Sequence, residues 1–335
     1  MNVTISVGGM QMKRIWRDLF PAVFMGLFVP GILLNFGAAL VRRNTPPEYG
    51  PINTTEPIKN AVQEMVQIHL KDSGEMDMEE YLTGVLLAEM PAYFETEALK
   101  AQAVVARTYA GKASQTGGKH GNGSVCRDPG CCQGYLAPEE YLSSGGKPEN
   151  MEKIRQAVEA TRGQVLIYDG MLIEATYFSC SGGRTEDAVA VWGTDVPYLR
   201  SVESPGEENA AHFQDVTVFP RDEFAERLGI PDTNNIQIGT VTYTEGGGVN
   251  TIQIDGKLRS GTELRSLLGL RSTAFAVKNL GDTIEITTKG YGHRVGMSQY
   301  GADAMAASGS TWQEILCHYY PGTELACLER EKRVS

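Results

Sequence analysis

From Glu80 onward the apolar positions fall at helical spacing. Leu82, Leu86 and Glu89 stand at i, i+4 and i+7, so a helix places them on one face, and Pro91 ends that helix just beyond Glu89. Thr96 has the character of an N-cap for a second helix. In it, Leu99, Ala103, Ala106 and Ala110 form a narrow seam of small residues, while Lys100, Val104 and Arg107 line a different face. A further helix is expected over 150–161. The period then drops to two around Asp169 and Gly170, which predicts a hairpin with strands at Gln164–Tyr168 and 172–179. Residues 213–282 alternate between strand, short helix and glycine-rich turn, the signature of a smaller inserted α+β subdomain. Gly246, Gly247 and Gly248 within it read as a turn, because no Gly-Lys-Ser/Thr pattern follows them. A strand over 283–288 leads through Gly290, Gly292 and Gly296 into a helix near Ser298. Ser310 and Gln313 have the spacing of a capping box for a last helix, ended by Pro321 and Gly322. The fold class expected is α+β.

The N-terminal part has a different pattern. Residues 19–41 are an uncharged run long enough to span a bilayer, with Lys13, Arg14 and Arg17 before it and Arg42 and Arg43 after it. We read 1–18 as a cytoplasmic tail, 19–41 as an uncleaved transmembrane anchor, 42–62 as a Pro-, Asn- and Thr-rich linker, and 63–335 as the folded domain. A cleaved signal peptide ending at Gly37, Ala38 and Ala39 is the alternative. A hydrophobic content of 41% suits a chain with a sizeable core, and a net charge of −11 argues against nucleic acid as the principal partner.

Candidate chemistry falls in three places. Glu89 lies in the last turn of its helix, where partial negative charge and apolar neighbours disfavour ionisation, so it suits a proton donor. Lys100 and Arg107 on one stripe read as an anion-binding wall. In the glycine-rich loop after the second helix, His120, Cys126 and Cys132 follow one another with five residues between each, a spacing that can wrap one tetrahedral zinc ion. Cys131 is then a spare or alternative ligand, and disulfide pairing among the six cysteines is the competing reading. No HExxH occurs, and the segment Ser179-Cys180-Ser181-Gly182-Gly183 lacks the first glycine of a serine-nucleophile elbow. Further carboxylates exist at Glu95, Glu97, Glu174, Glu186, Asp187 and Asp195, so composition leaves an ordinary two-carboxylate glycosidase open.

The segment EYLTGVLLAEMPAYFETEALKAQAVVARTYA (80–110), followed in order by TYFSCSGGRTEDA (176–188), VWGTDVPYLRSVESP (191–205) and GYGHRVGMSQYGA (290–302), resembles the stage II sporulation protein D family, a relative of cell-wall amidase-enhancer proteins. The resemblance implies a membrane-anchored lytic transglycosylase with an extracytoplasmic domain. In it Glu89 alone serves as acid and then base on peptidoglycan strands stripped of stem peptides. It further implies sugar contacts from Ser181, Thr185, Tyr198, His293, Ser298, Gln299 and Tyr300, and a lactyl-carboxylate site at Lys100 and Arg107. Clostridial-type members carry a Cys/His zinc site, which favours one zinc per chain here. The implied partners are peptidoglycan, the amidase stage II sporulation protein P, and stage II sporulation protein M, at the mother-cell membrane during engulfment. A noncatalytic glycan-binding activator of an amidase is the alternative reading.

Overall fold

A computed structural model of the chain describes residues 67–232 and 234–327. The tail, anchor and linker expected at 1–62 lie outside these residues, and no described helix is long and apolar enough to cross a membrane. The largest hydrophobic core among the described residues is built on helices α1 (Met78–Glu89) and α2 (Thr96–Thr116), entered through the short hairpin β1 (Gln67–Leu70) and β2 (Gly74–Asp77). Asp77 caps α1, its Oδ1 accepting the Glu79 amide at 2.9 Å. The cap of α2 is Glu95, one residue earlier than the sequence suggested. Its amide donates to Asp303 at 2.7 Å, which fixes the turn from outside the helix.

The pattern of α2 is more apolar than a surface helix requires. Nearly every residue from Ala98 to Gly111 is buried, because α4 (Pro148–Ala160), β3 (Gln164–Tyr168), α8 (Gln299–Ala307) and α9 (Trp312–Tyr319) pack around it. Small alanines permit that close approach. No stripe of α2 between these residues faces solvent, which removes the basis for an exposed basic wall on it. A short helix, α3 (Pro138–Ser143), precedes α4, and another, α5 (Ala188–Trp192), comes later in the chain.

Asp169 and Gly170 turn the chain with φ of 49° and 72°, and β3 pairs with β4 (Met171–Leu172) as a hairpin. The strand expected to continue through 179 is broken there. The chain leaves β3 instead, and β5 (Tyr177–Phe178) pairs in parallel with β12 (Met297–Ser298). Gly296 makes this possible: it has φ of 83°, and a Cβ there would lie 2.1 Å from the Thr176 carbonyl oxygen. Two distant glycine-bearing segments are thereby laid side by side. The C-terminal strand β13 (Glu324–Cys327) completes the sheet on the other edge of β3. The capping box of α9 uses Thr311 and Glu314, one residue later than expected.

The second core, including Phe219, Phe224, Leu264, Ile284 and Ile286, belongs to a unit made of β6 (Gln214–Pro220), α6 (Arg221–Leu228), the antiparallel strands β7 (Ile238–Tyr243), β8 (Val249–Ile254) and β9 (Lys257–Ser260), α7 (Gly261–Leu268), β10 (Ala274–Asn279) and β11 (Thr283–Lys289). Strand β11 pairs along its length with β6, so this unit runs past residue 282. A buried ion pair ties it to the main body. Arg294, at φ of 65°, donates to Glu186 at 3.1 Å and to the Gly246 carbonyl at 2.6 Å. Glu186 in turn accepts the Gly248 amide at 2.9 Å. The three glycines are the turn through which the unit is held.

Candidate active site

A cleft of about 220 Å³ opens where the C-terminal end of α1, the Cys/His loop, β5 and the Tyr291–His293 segment converge, with Arg265 of the inserted unit in its lining. Glu89 is the only carboxylate among the described residues that line it. Its Oε1 accepts the Gly134 amide at 2.6 Å, and the Tyr177 hydroxyl hydrogen-bonds to the same carboxyl. Burial raises the pKa of Glu89, while the hydrogen bonds from Gly134 and Tyr177 partly offset that rise. The group is therefore held in a fixed orientation and keeps its proton to higher pH than a free glutamate.

Tyr177 is itself held. Its hydroxyl accepts from Gln133 Nε2 at 3.2 Å, and Gln133 Oε1 accepts from the Tyr81 hydroxyl at 3.2 Å. This relay from α1 through the loop to β5 places the Tyr177 oxygen beside Glu89. Neither Tyr177 nor Gln133 was singled out from sequence. Tyr177 lies inside the TYFSCSGGRTEDA block and could have been found there, whereas Gln133 follows Cys132 with no pattern of its own.

The Cys/His loop forms the adjoining wall. The ligand atoms of His120, Cys126, Cys131 and Cys132 all lie within 4.8 Å of one another. His120 Nε2 is 3.7 Å from Cys131 Sγ and 3.5 Å from Cys132 Sγ, and the last two sulfurs are 3.9 Å apart. Zinc–sulfur bonds of about 2.3 Å and zinc–nitrogen bonds of about 2.0 Å give tetrahedral edges of roughly 3.5 to 3.8 Å, close to the three separations among His120, Cys131 and Cys132, so the donor set fits a zinc ion. Cys131, a spare or alternative ligand in the sequence reading, lies in the same cluster as the other three. None of these cysteines is in a disulfide. Burial pushes the Cys132 thiol up to about 12, with the Cys126 backbone amide opposing the rise and the neighbouring Cys126 and Cys131 thiols adding to it.

The remaining sequence candidates divide sharply. His293 and Gln299 line the cleft. Burial lowers the His293 pKa to about 3, so its ring, set against Phe178 and Trp192, is neutral. The amide Nε2 of Gln299 is buried and has no hydrogen-bond partner among the described residues. Ser298, buried, caps α8, accepting the Gly301 amide at 3.2 Å. Ser181 is buried and donates to Glu207 at 2.8 Å, Thr185 accepts the Val202 amide at 2.8 Å, and the Tyr198 hydroxyl accepts the Glu174 amide at 3.0 Å. Tyr300 packs edge-on against Phe94 at 4.9 Å. These five support the cleft rather than line it.

The basic wall is not formed. Arg107 is fully buried, paired through two nitrogens with the Glu79 carboxylate, and donates to the Gln164 carbonyl at 3.0 Å. Its part of the helix is packed into the core, which its guanidinium serves. Lys100 pairs with Glu97 at 2.6 Å, and Glu97 also accepts the Trp312 amide at 2.9 Å. That places Lys100 toward α9, outside the cleft lining.

The stage II sporulation protein family model matches residues 67–168, which hold Glu89 and the whole Cys/His cluster. The chain is 41% identical over 254 residues to stage II sporulation protein D of Bacillus subtilis (strain 168), covering 74% of each. It is 40% identical over 254 residues to the protein of the same name from Bacillus amyloliquefaciens, again with 74% of each covered. An amidase enhancer of Bacillus subtilis (strain 168) is 31% identical over 299 residues, 73% of this chain and 40% of that protein. The chain belongs to the stage II sporulation protein D family.

Proposed function

We propose that the protein is a lytic transglycosylase that cuts peptide-free peptidoglycan strands during sporulation, with Glu89 as both acid and base. The observation that carries this reading is the single carboxylate in the cleft. Hydrolysis of a glycosidic bond by the usual routes takes two carboxylates, one as acid and one as base or nucleophile. One carboxylate suffices when the nucleophile is part of the substrate. The protonated Glu89 donates to the oxygen between N-acetylmuramic acid and N-acetylglucosamine as the bond from that oxygen to the muramyl C1 breaks. The carboxylate left behind then takes the proton of the muramyl C6 hydroxyl, whose oxygen closes on C1. Glu89 is protonated again, and the product is a 1,6-anhydro end formed without water. Its raised pKa suits the first step, and the Gly134 and Tyr177 hydrogen bonds support the charge it carries between the steps. Gln299, through its unpartnered amide, is a donor for sugar oxygens.

His120, Cys126, Cys131 and Cys132 would hold one zinc ion per chain. Four protein ligands close its shell, so its contribution would be to order a glycine-rich loop and not to polarise substrate. We place the domain outside the cell membrane, anchored through residues 19–41, with stage II sporulation proteins P and M as partners. A second reading has a specific basis: a relative carries the name amidase enhancer, which fits a protein that binds glycan and activates an amidase without cutting. Product analysis separates the two, because only transglycosylation yields anhydromuramic ends from glycan in the absence of any amidase.

A further inference from the structure

We propose that Arg265, carried by the inserted unit, binds the lactyl carboxylate of muramic acid and thereby selects strands whose stem peptides have been removed. The inference rests on the transglycosylase reading and names the residue that fixes its substrate. Lys100 and Arg107, the cations the sequence offered for this task, are paired elsewhere. Arg271 is close by but engaged: it lies over the Tyr291 ring at 4.9 Å, donates to Asp215 at 3.1 Å and sits 2.8 Å from His212 Nδ1. Arg265 differs from all of them. It lines the same cleft as Glu89, and its one side-chain hydrogen bond among the described residues is from Nε to the Leu270 carbonyl at 3.4 Å. Among the described residues no carboxylate pairs with it. Burial lowers its pKa, with Tyr291 opposing, so the cation is partly stripped of water without gaining a counter-charge.

A carboxylate presented to the two terminal nitrogens meets the planar fork that guanidinium groups recognise best. When a stem peptide is attached, the lactyl group is an amide and carries no charge, which leaves the arginine unpaired in the complex. Discrimination of this kind comes from an unmet polar group as much as from an attraction. The position of Arg265 is set by more than its own helix, since the Arg294–Glu186 pair holds the inserted unit against the segment that carries Tyr291 and His293. An exposed loop insertion would need no such anchor.

The test is binding in the Glu89→Gln background, where turnover is removed, to three soluble glycan oligomers: peptide-free, peptide-free with the lactyl carboxylate reduced to an alcohol, and peptide-bearing. With Arg265 present the peptide-free strand is expected to bind about 10- to 100-fold tighter than either of the others, the range of a charge-assisted hydrogen bond. Arg265→Ala and Arg265→Met should abolish that preference with unchanged thermal midpoints, and Arg265→Lys should keep part of it. Equal loss on all three strands, a preference that survives both substitutions, or an Arg265-dependent preference for peptide-bearing strands would each overturn the proposal. Failure of the transglycosylase reading shows up separately, as absence of anhydromuramic product from the unsubstituted protein.

Discussion

The Gly134 amide donates to Glu89 Oε1 at 2.6 Å, only two residues beyond Cys132 of the Cys/His cluster. The proposed metal site and the proposed acid are thus joined by one short piece of backbone. A Cβ at Gly134 would stand 2.8 Å from Oε1, inside normal contact distance. Gly134→Ala is therefore expected to push the carboxylate out of line and lower kcat by about 10- to 100-fold with little change in KM, because misplacement of a catalytic group by about 1 Å is enough for such a loss. Steady-state kinetics on soluble peptide-free glycan checks this, and unchanged kcat would show that the contact does not orient the acid.

Removal of metal should act through the same connection. The purified domain is expected to hold about one zinc per chain, and chelation or Cys131→Ser should lower its thermal midpoint and loosen the loop that carries Gly134. Elemental analysis and calorimetry read the two effects. Peptide mapping under nonreducing conditions that finds Cys126 bonded to Cys132 would replace zinc with a disulfide.

The pH dependence has a definite sign. Burial raises Glu89, so the folded state holds this proton more tightly than the unfolded chain does. The associated stability is complete below the ordinary carboxylate range and is lost as pH rises through the folded value. Activity, which needs the proton, should fall over the same limb. Glu89→Gln removes this titration and is expected to have a thermal midpoint at neutral pH equal to or above that of the unsubstituted protein. His293 has the opposite sign: lowered to about 3, it stays neutral in the fold, and its contribution is lost as pH falls and the unfolded chain takes up the proton. A calorimetric pH series on each single variant separates the two groups.

Arg107→Ala should behave as a core lesion and not as a binding defect. It leaves Glu79 with a buried, unpaired charge, which typically costs about 3–5 kcal/mol. Denaturant unfolding reads the loss directly. A stable variant with selectively weakened glycan affinity would contradict the placement of Arg107 in the core.

How much of this was legible beforehand depends on the reach of each signal. Glu89 was visible because a local feature, the helix stop at Pro91, marks where its side chain must stand. The hairpin turn at Asp169 and Gly170 and the start of a helix near Ser298 are equally local, and both are found where the sequence places them. Arg107 misled because helical spacing tells which residues share a face and says nothing about what packs on that face. Burial of most of α2, Arg107 included, is decided by α4, α8 and α9, far along the chain. Tyr177 and Gln133 become partners only through a parallel β5–β12 pairing between residues more than a hundred apart. Arg265 lies on a helix of the inserted unit, and its place at the cleft depends on the Arg294–Glu186 anchor, which no periodicity reports.

The central claim, that one carboxylate cuts glycan by transglycosylation, is tested most directly by mass spectrometry of peptide-free glycan incubated with the purified domain and with Glu89→Gln. The account predicts 1,6-anhydromuramic ends from the unsubstituted protein and a loss of about 100-fold or more in their rate of formation with Glu89→Gln, since removal of a general acid typically costs that much. Reducing muramic ends in place of anhydro ends, or undiminished anhydro product from Glu89→Gln, would contradict it.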